Sequence, residues 1–463
     1  MCGIIGIWNH PQAANLAYLC LHAVQHRGQE SCGMVTSDGR ELFQQKGMGH
    51  VADYFSREIL AQLPGTSAIG HTRYSTAGGS TLKNAQPFLI NYAGGMLSVA
   101  HNGNLTNALT LRRQLEAKGS IFQSTMDSEV MMHLIAAQAT TVPLADRIIQ
   151  ALGQVEGAYS VLFVGETQLI AARDPHGWRP LMLGRLGEAW ILASETCAFD
   201  LVRATFVREI EPGEVVIFGP DGVTSRRLAS APRRAHCIFE YIYFARPDSH
   251  VYGHDVYQVR VGFGAELARE QPADVDVVCP IPDSGTPAAI GYARALGKPF
   301  ELGLIRSHYV GRTFIEPDQS IRDFGVKLKL NPVRGVLAGR RVVLIDDSIM
   351  RGTTSAKIVR MVRAAGATEV HVRISSPPTR WPCFYGIDIP TREELIAAAQ
   401  SVEQVRVAIG ADSLGYLSEA GLYRWTAQTS AGEFCDACFT GRYPLDVRDA
   451  PAMMAAAAAS VAQ

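Results

Sequence analysis

The sequence lacks the features that mark several classes of protein. Its formal net charge is −1 over 463 residues, so it has no surplus of basic side chains that would attract nucleic acid or an anionic membrane. No apolar run is long enough to cross a bilayer, and the first ten residues lack the basic leader and length of a signal peptide. We therefore expect a cytoplasmic protein with neither a nucleic-acid partner nor a membrane partner.

A disulfide framework is not expected either. The chain has nine cysteines, an odd number, and shows no export signal, so catalysis or metal binding is the better default. Four of these cysteines lie in apolar or strand-like surroundings and are predicted to be core thiols: Cys20, Cys32, Cys197 and Cys279.

The length and the composition predict two domains. With 47% hydrophobic and 19% charged residues the chain is globular, and 463 residues exceed what one ordinary core holds. The pattern changes near residues 230–235, and the chain ends in an Ala-rich stretch without a partner face. We predict a first domain over residues 1–230, a second over 231–445, and a disordered tail over 446–463.

The first half reads as short strands and loops with a few helices. A strand is predicted for MCGIIGIW, and the spacing of Leu16, Leu19, Cys20 and Val24 indicates a helix that closes near Gly28. Another helix is predicted from Thr106 to Lys118, stopped by Gly119. Further strands are predicted at 96–100, 159–164 and 188–194.

The second half alternates between strands and helices from about Ala273. The order is strand DVDVVCPI, helix TPAAIGYARAL and strand FELGLI, followed by strand RRVVLI, helix AKIVRMVRAAG and strand EVHVRI. Such alternation predicts a doubly wound parallel sheet with its ligand at the carboxyl ends of the strands. The first half and the second half therefore predict α+β and α/β architecture, respectively.

The most informative stretch of the second half is VVLIDDSIMRGTTS, residues 342–355. Four buried-type aliphatic residues lead into Asp346 and Asp347, and two adjacent carboxylates are costly there unless a cation or hydroxyl groups compensate. The small, hydroxyl-rich turn that follows opens a helix, and amides at a helix N-terminus favour a phosphate; it consists of Arg351, Gly352, Thr353, Thr354 and Ser355. The competing interpretation is an ordinary capping turn.

This stretch resembles the phosphoribosylpyrophosphate (PRPP) signature of the type I phosphoribosyltransferases. The resemblance implies that Asp346 and Asp347 contact the ribose hydroxyls and Mg²⁺, while the turn binds the 5′-phosphate. The loop PDSGT resembles the pyrophosphate loop, with Ser284 as a contact for metal or pyrophosphate. Residues 309–335 resemble the loop that closes over PRPP, and its candidate cations are Arg312, Lys327 and Lys329.

Cys2 is the candidate nucleophile of the first half. Aminopeptidases remove Met before a small residue, so Cys2 is expected to become the amino terminus after routine removal of Met1. A thiol beside a free α-amine combines nucleophile and base in one residue. A cysteine at position 2 is weak evidence by itself, but four motifs accompany it: CGIIGIW, LHAVQHRGQES, IGHTRYST and AHNGNL.

These motifs resemble the class II glutamine amidotransferases, which have an N-terminal-nucleophile sandwich fold. The implied oxyanion donors are the Asn102 side-chain amide and the Gly103 N–H. The resemblance assigns Arg73 to the glutamine carboxylate and Asp127 to its α-ammonium group. A surface ion pair for Arg73 and a helix cap for Asp127 are the structural alternatives. We expect structural roles for three nearby histidines, His26, His71 and His101.

Four further cysteines form a candidate metal site. Cys435 and Cys438 have C-x-x-C spacing, and Cys237 and Cys383 complete a set of four thiols suited to zinc or an iron–sulfur cluster. A redox pair or unconnected thiols are the alternatives. One subgroup of the amidophosphoribosyltransferases carries a [4Fe–4S] cluster on cysteines in these contexts, and this resemblance favours iron–sulfur.

Together the two halves resemble the amidophosphoribosyltransferases over nearly the whole chain. The resemblance implies glutamine-dependent amination of PRPP to 5-phosphoribosylamine, the first committed step of purine synthesis, with Mg²⁺ and a [4Fe–4S] cluster as cofactors. It also implies a homotetramer inhibited by purine nucleotides. Other amidotransferases lack the 342–355 loop, and a PRPP-sensing regulator would not need Cys2. A paralogue with one inactive site is the remaining alternative.

Overall fold

The computed structural model describes residues 1–74, 79–228, 233–307, 330–389, 391–425, 431–447 and 449. Most of the predicted closing loop, including Arg312, Lys327 and Lys329, therefore lies outside the described residues. The predicted tail lies outside them as well, apart from residues 446, 447 and 449.

Two antiparallel sheets form the first half. One has seven strands in the order β11-β9-β10-β1-β4-β2-β3, and the other has six in the order β13-β12-β8-β7-β6-β5. The strands are β1 (Gly3–Trp8), β2 (Ser31–Ser37), β3 (Leu42–Met48), β4 (Ser67–Arg73), β5 (Phe88–Tyr92), β6 (Gly95–Leu105), β7 (Gly157–Gly165), β8 (Leu169–Arg173), β9 (Met182–Leu186), β10 (Ala189–Ala193), β11 (Thr205–Glu209), β12 (Glu214–Gly219) and β13 (Gly222–Arg227).

The two sheets pack against each other around a shared apolar core. Apolar side chains of both meet in one buried cluster, to which β1 contributes Ile4, β4 contributes Ile69 and β7 contributes Leu162. Helices cover the outer faces: α1 (Ala13–Ala23), α2 (Val51–Tyr54), α3 (Arg57–Leu60), α4 (Ala108–Ala117), α5 (Ser128–Ala136), α6 (Leu144–Leu152) and α7 (Cys197–Val202). This is the predicted sandwich, since burying the apolar face of each sheet against the other leaves the outer faces to amphipathic helices.

A four-stranded parallel sheet organises the second half. Its order is β17-β20-β21-β22, formed by β17 (Val277–Pro280), β20 (Arg341–Asp346), β21 (Glu369–Ile374) and β22 (Ser413–Tyr416). The remaining strands are short and pair outside it: β14 (His236–Cys237), β15 (His250–Val251), β16 (His254–Asp255), β18 (Leu304–Arg306), β19 (Leu330–Pro332) and β23 (Phe434–Cys435). The predicted parallel α/β sheet is therefore present.

The helices of the second half agree with the sequence pattern at the key positions. They are α8 (Val256–Glu270), α9 (Thr286–Leu296), α10 (Arg334–Leu337), α11 (Thr353–Ala364), α12 (Ile396–Ala399), α13 (Val402–Ile409) and α14 (Ala437–Thr440). Helix α9 follows β17 and ends at Gly297 in a left-handed conformation, while α11 follows β20. The carboxyl ends of two adjacent strands thus lead directly into the two loops predicted to bind PRPP.

The stretch FELGLI differs from its prediction. Phe300 forms one isolated parallel bridge with Val278, and only Leu304–Arg306 is a strand, paired antiparallel with β19. Gly303 lies so close to β17 that a Cβ there would be 2.6 Å from the Cys279 sulfur. This stretch therefore has one bridge to β17 and a short strand outside the parallel sheet, in place of the predicted full strand. Among the described residues, the structure contains no helix that is both long and apolar enough to cross a membrane.

Candidate active sites

Cys2 lies immediately before β1, in the interior of the first half. It is 7% exposed, and its sulfur is 3.7 Å from the Tyr74 carbonyl oxygen. The structure contains Met1, so the Cys2 nitrogen is a peptide N–H, which donates to Asn102 Oδ1 at 3.2 Å. After removal of Met1 this nitrogen becomes the α-amine. The same contact then holds the candidate base beside the candidate nucleophile.

Asn102 and Gly103 lie on β6, next to Cys2. Asn102 is fully buried, and among the described residues its Nδ2 has no hydrogen-bond partner. A buried amide donor without a partner is costly in a folded protein. Gly103 has φ of +151°, and a Cβ there would be 2.0 Å from the Ala158 carbonyl oxygen. The pair therefore presents a free side-chain donor and a backbone that only glycine accommodates, as an oxyanion site needs.

Arg73 ends β4 and is 3% exposed. Gly28 allows the preceding loop to pack on its backbone, since a Cβ at Gly28 would be 2.5 Å from the Arg73 carbonyl carbon. Burial lowers the pKa of Arg73, while the nearby groups of Cys2, Glu30 and Asp127 oppose that shift. The two predicted glutamine ligands, Arg73 and Asp127, therefore lie close to each other and to the predicted nucleophile Cys2.

Asp127 precedes α5, where its side chain has two backbone partners. Oδ1 accepts from the Ser128 N–H at 2.8 Å, and Oδ2 accepts from the Leu105 N–H at 2.9 Å. Asp127 therefore caps α5, as the structural alternative predicted. This contact is compatible with the predicted ligand role, which stays a prediction. Burial works against ionisation of Asp127, but His101 and the backbone donors overcome it and lower the carboxyl pKa.

His101 is the main charged partner of Asp127. Its Nδ1 is 3.5 Å from Asp127 Oδ1, and its Nε2 is 3.3 Å from the Ala158 carbonyl oxygen. Both ring nitrogens therefore face acceptors, which favours the imidazolium form. Burial disfavours that form, yet the Asp127 carboxylate raises the pKa of His101 above its ordinary value. His71 differs, because burial lowers its pKa to about 3.

The predicted PRPP residues meet at the carboxyl ends of β17 and β20. Asp346 Oδ1 accepts from the Asp347 N–H at 3.0 Å, and Asp347 Oδ1 accepts from Ser348 Oγ at 2.5 Å. Ser284, from the loop after β17, lies close enough to the Asp347 carboxylate to oppose the burial that raises its pKa. Burial and the Asp347 charge raise the pKa of Asp346 well above its ordinary range. The carboxylates thus lie together in a setting that favours a compensating cation.

The turn after Asp347 forms the N-terminus of α11. Gly352 has φ of +76°, Ser355 is buried, and Thr353 and Thr354 are exposed. The first-turn amides of α11 therefore open onto the same edge of the sheet as the two carboxylates. Arg351 faces elsewhere: it is exposed, and its Nη2 is 2.7 Å from Glu394 Oε1. A phosphate contact by Arg351 requires this ion pair to open.

The four predicted cluster cysteines converge from three segments of the second half. Cys237 on β14 is the register partner of Cys435 on β23, and Cys438 follows in α14. Together with Cys383 they line one cavity of about 20 Å³. Burial and the neighbouring thiols raise the pKa of both Cys435 and Cys438. In the described part of the chain, however, no three His, Cys, Asp or Glu side chains are arranged as metal ligands.

The sequence gives no sign of how closely the second half covers the predicted glutaminase residues. Asn104 Nδ2 donates to the Phe384 carbonyl at 2.9 Å, and a Cβ at Gly386 would be 2.8 Å from the Gly103 carbonyl carbon. Nor does the sequence reveal the buried charged cluster formed by Arg27, Arg179, Glu195 and Glu240. The only signal in the sequence is Arg27 within the motif QHRGQ, since the other members are isolated charges.

Comparison with known proteins relates both halves to one family. A family profile described as a glutamine amidotransferase domain matches residues 71–200. Amidophosphoribosyltransferase 1, chloroplastic, of Arabidopsis thaliana is 55% identical over 446 residues, which are 96% of this chain and 78% of that protein. Amidophosphoribosyltransferase of Bacillus subtilis is 51% identical over 451 residues, which are 96% of this chain and 94% of that protein.

A solved structure agrees with these relatives. Glutamine PRPP amidotransferase from B. subtilis, complexed with ADP and GMP, matches with a TM-score of 0.91 and 50% sequence identity, covering 96% of this chain and 98% of that chain. The match confirms the predicted order of a glutaminase sandwich followed by a phosphoribosyltransferase sheet. The chain belongs to the amidophosphoribosyltransferase family.

Proposed function

We propose that this protein transfers the amide nitrogen of glutamine to PRPP, giving 5-phosphoribosylamine, glutamate and pyrophosphate, the first step of purine synthesis. The observation that carries the proposal is the buried Nδ2 of Asn102 beside Cys2, which has no hydrogen-bond partner among the residues that the structure describes. It supports a glutaminase that works through an oxyanion. The paired Asp346 and Asp347 at the second sheet edge support the use of its ammonia on PRPP.

In the glutaminase, the Cys2 α-amine takes the thiol proton and the thiolate attacks the amide carbon of glutamine. The oxyanion accepts hydrogen bonds from Asn102 Nδ2 and the Gly103 N–H. The tetrahedral intermediate then collapses and its C–N bond breaks. The α-ammonium gives its proton to the departing nitrogen, which leaves as ammonia, and a thioester remains on Cys2. Water then hydrolyses the thioester to glutamate. Arg73 and Asp127 hold the carboxylate and the α-ammonium of the substrate, so that glutamine is oriented at both ends.

At the second site, ammonia forms a bond to C1 of PRPP as the bond to pyrophosphate breaks. Asp346 and Asp347 bind the ribose hydroxyls, and the first-turn amides of α11 hold the 5′-phosphate. Mg²⁺, held by the two carboxylates and Ser284, would neutralise charge on the departing pyrophosphate. Two carboxylates without a full protein cage fit Mg²⁺, which keeps water and substrate phosphates among its ligands.

The four converging cysteines support a [4Fe–4S] cluster held by Cys237, Cys383, Cys435 and Cys438. Four sulfur donors suit iron–sulfur or zinc, and the mutual repulsion of buried thiolates favours a cation among them. The four cysteines line a cavity of only about 20 Å³, which is smaller than a cluster. Binding of the cluster therefore requires the thiols to rotate away from the centre of the cavity. When bound, such a cluster would stabilise the fold by joining the three segments that carry the cysteines and would take no part in the reaction.

Metal analysis tests the cluster. After anaerobic purification we expect about four iron and four sulfide per chain. Cys435→Ser should lose the iron and lower the melting temperature, because metal binding is coupled to folding. Cys279→Ser is the matched control and should keep its iron, since Cys279 is buried in β17, in a different core cluster. Stoichiometric zinc without iron would overturn the assignment.

Three further properties are proposed. The B. subtilis structure is complexed with ADP and GMP, which supports binding of purine nucleotides as feedback inhibitors here. A homotetramer remains a prediction from the family resemblance, and a cytoplasmic location remains a prediction from the composition of the sequence.

The reaction itself is tested by product stoichiometry. With PRPP, glutamine and Mg²⁺ we expect glutamate and pyrophosphate in equal amounts, measured by coupled assays on one sample. Omission of PRPP should abolish pyrophosphate, and replacement of glutamine by ammonium chloride should restore it. Glutamate without pyrophosphate would contradict the proposed use of the ammonia.

A further inference from the structure

A cluster of four buried charged side chains crosses between the two halves of the chain. Arg27, Arg179 and Glu195 belong to the first half and Glu240 to the second, and all four side chains are fully buried. Two guanidinium groups and two carboxylates balance in charge. Such burial is tolerated only when each charge keeps its partner, because desolvation of an unpaired ion is expensive.

Arg27 joins the cluster to the nucleophile. Its Nε donates to the Cys2 carbonyl oxygen at 3.0 Å. On its other side, Nη2 and Nη1 donate to the two oxygens of Glu240 at 2.8 and 2.9 Å. This is a bidentate pair, which fixes the plane of the guanidinium group as well as its position. The carboxylate of Glu240 therefore sets the orientation of the group that holds Cys2.

Glu195 and Glu240 differ in how they are anchored. Glu195 binds Arg27 and His26 through Oε1, and its Oε2 accepts from the Arg246 N–H and from Ser249 Oγ at 2.8 Å each. In the part of the chain that the structure describes, the Glu240 carboxylate forms ion pairs and hydrogen bonds with the two arginines only. Both carboxylates therefore hold Arg27, and Glu240 is the one that the second half supplies.

Removal of Met1 makes the link between Arg27 and Glu240 more important in the processed enzyme. The Met1 sulfur lies 3.5 Å from Arg27 Nη2 and 2.8 Å from Arg179 Nη1. Once Met1 is removed, the two guanidinium groups lose this shared acceptor. Glu240 is then the side chain through which the described structure connects them.

The segment that carries Glu240 belongs to the second half. It is a π-helical turn, Glu240–Phe244, whose end is tied to α8: Arg260 donates to the carbonyl oxygens of Tyr241 and Ala245 at 2.6 and 2.7 Å. Arg260 is 3% exposed and lies close enough to Asp347 to oppose the burial that raises the pKa of that carboxyl group. The packing of the second half therefore determines where Glu240 stands.

We propose that Glu240 is a positioning residue of the glutaminase, supplied by the phosphoribosyltransferase half, which orients Cys2 through Arg27. This inference rests on the proposed glutaminase function. It explains why a fully buried ion pair is placed across the two halves: the nucleophile is correctly oriented only when the second half is folded against it.

The test is Glu240→Gln in the full-length, metal-loaded protein. Gln keeps the shape but removes the charge and turns an N–H toward a guanidinium that stays protonated. We expect alkylation of Cys2 by a glutamine-like diazoketone, and glutamine-dependent amination, to slow about 100-fold, the scale of a displacement near 1 Å. Ammonia-dependent amination should stay within about 2-fold. Glu240→Asp, which keeps the charge, should recover part of the loss.

Glu214→Gln is the matched control. Glu214 is also buried and forms a bidentate pair with Arg208 at 2.7 Å, but on β12, and it has no described contact with Cys2. Both activities of this variant should remain near wild type per folded molecule.

The outcomes separate this inference from the proposed function. If wild type labels at Cys2 and Glu240→Gln labels equally fast, the positioning role is wrong. A parallel fall of both activities with the folded fraction would also overturn it, since that is a purely structural effect. If Glu240→Gln does not fold, the same comparison is made on Glu240→Asp. Failure of wild type to label would instead refute the proposed glutaminase.

Discussion

Cys2→Ala should lose glutamine-dependent amination of PRPP by at least about three orders of magnitude and keep ammonia-dependent amination. The reason is physical separation of the two chemistries. The Cys2 sulfur lies in the first-half sandwich beside Asn102, whereas Asp346 and Asp347 lie at the edge of the second sheet. Removing the thiol abolishes the thioester but leaves the PRPP residues untouched. The measurement is pyrophosphate release with glutamine and, at raised pH where more ammonia is unprotonated, with ammonium chloride.

Cys20→Ala is the control for this prediction. Cys20 is also a buried thiol of the first half, on α1, with its sulfur 3.7 Å from the Ala198 carbonyl oxygen. Its replacement should lower the free energy of unfolding by about 1 kcal/mol and leave both activities in place. Glutamine-dependent activity that survives in Cys2→Ala would show that another group is the nucleophile.

Asp346→Asn should have opposite effects on activity and stability. Loss of one carboxylate from the ribose and Mg²⁺ site should lower amination with either nitrogen donor by about three orders of magnitude. In the absence of ligands, however, it relieves repulsion from Asp347 and should raise the free energy of unfolding by about 1–2 kcal/mol. The Asn side chain keeps the oxygen that accepts from the Asp347 N–H, so the local turn is preserved.

The same prediction has a definite pH dependence. Because the folded-state pKa of Asp346 is raised, the folded protein binds this proton more tightly than the unfolded chain does. The contribution of Asp346 to stability is therefore greatest at acidic pH and is lost as the pH rises from the ordinary Asp value through the raised one. Asp346→Asn should remove this loss, which thermal unfolding of both proteins over that pH range, without Mg²⁺ or PRPP, measures directly.

Asp276→Asn provides the control at the opposite end of the sheet. Asp276 precedes β17 and pairs with Arg341 at 2.9 Å, far along the strands from Asp346. Its pKa is lowered to about 2 by hydrogen bonds from Arg341, so its loss should not stabilise the protein, and activity should be unchanged. Equal stabilisation by both substitutions, or full activity of Asp346→Asn, would contradict the assignment of the carboxylate pair.

Local patterns were sufficient for much of the fold. β1, α9, α11, β20 and β21 were all predicted, because their apolar periodicity and their glycine stops are properties of contiguous residues. FELGLI was mispredicted as a full strand because its composition is strand-like, whereas the structure pairs only Leu304–Arg306, and pairs it with β19 outside the parallel sheet. The short β22 was not predicted, because its pairing with β21 depends on a partner about 40 residues away.

The sequence by itself determined which chemical groups this protein has. The Cys2 thiol, the HNGN turn, the Asp346–Asp347 pair and the four cluster cysteines are all readable in short motifs. Only the tertiary structure decided how these groups are held. It leaves Asn102 Nδ2 without a partner among the described residues and pairs Asp127 with His101. It also turns Arg351 toward Glu394 and connects Cys2 through Arg27 to Glu240. Glu240 lies 213 residues from Arg27 along the chain. Burial creates the requirement that these charges be paired, and burial is a property of the folded chain that no local pattern contains.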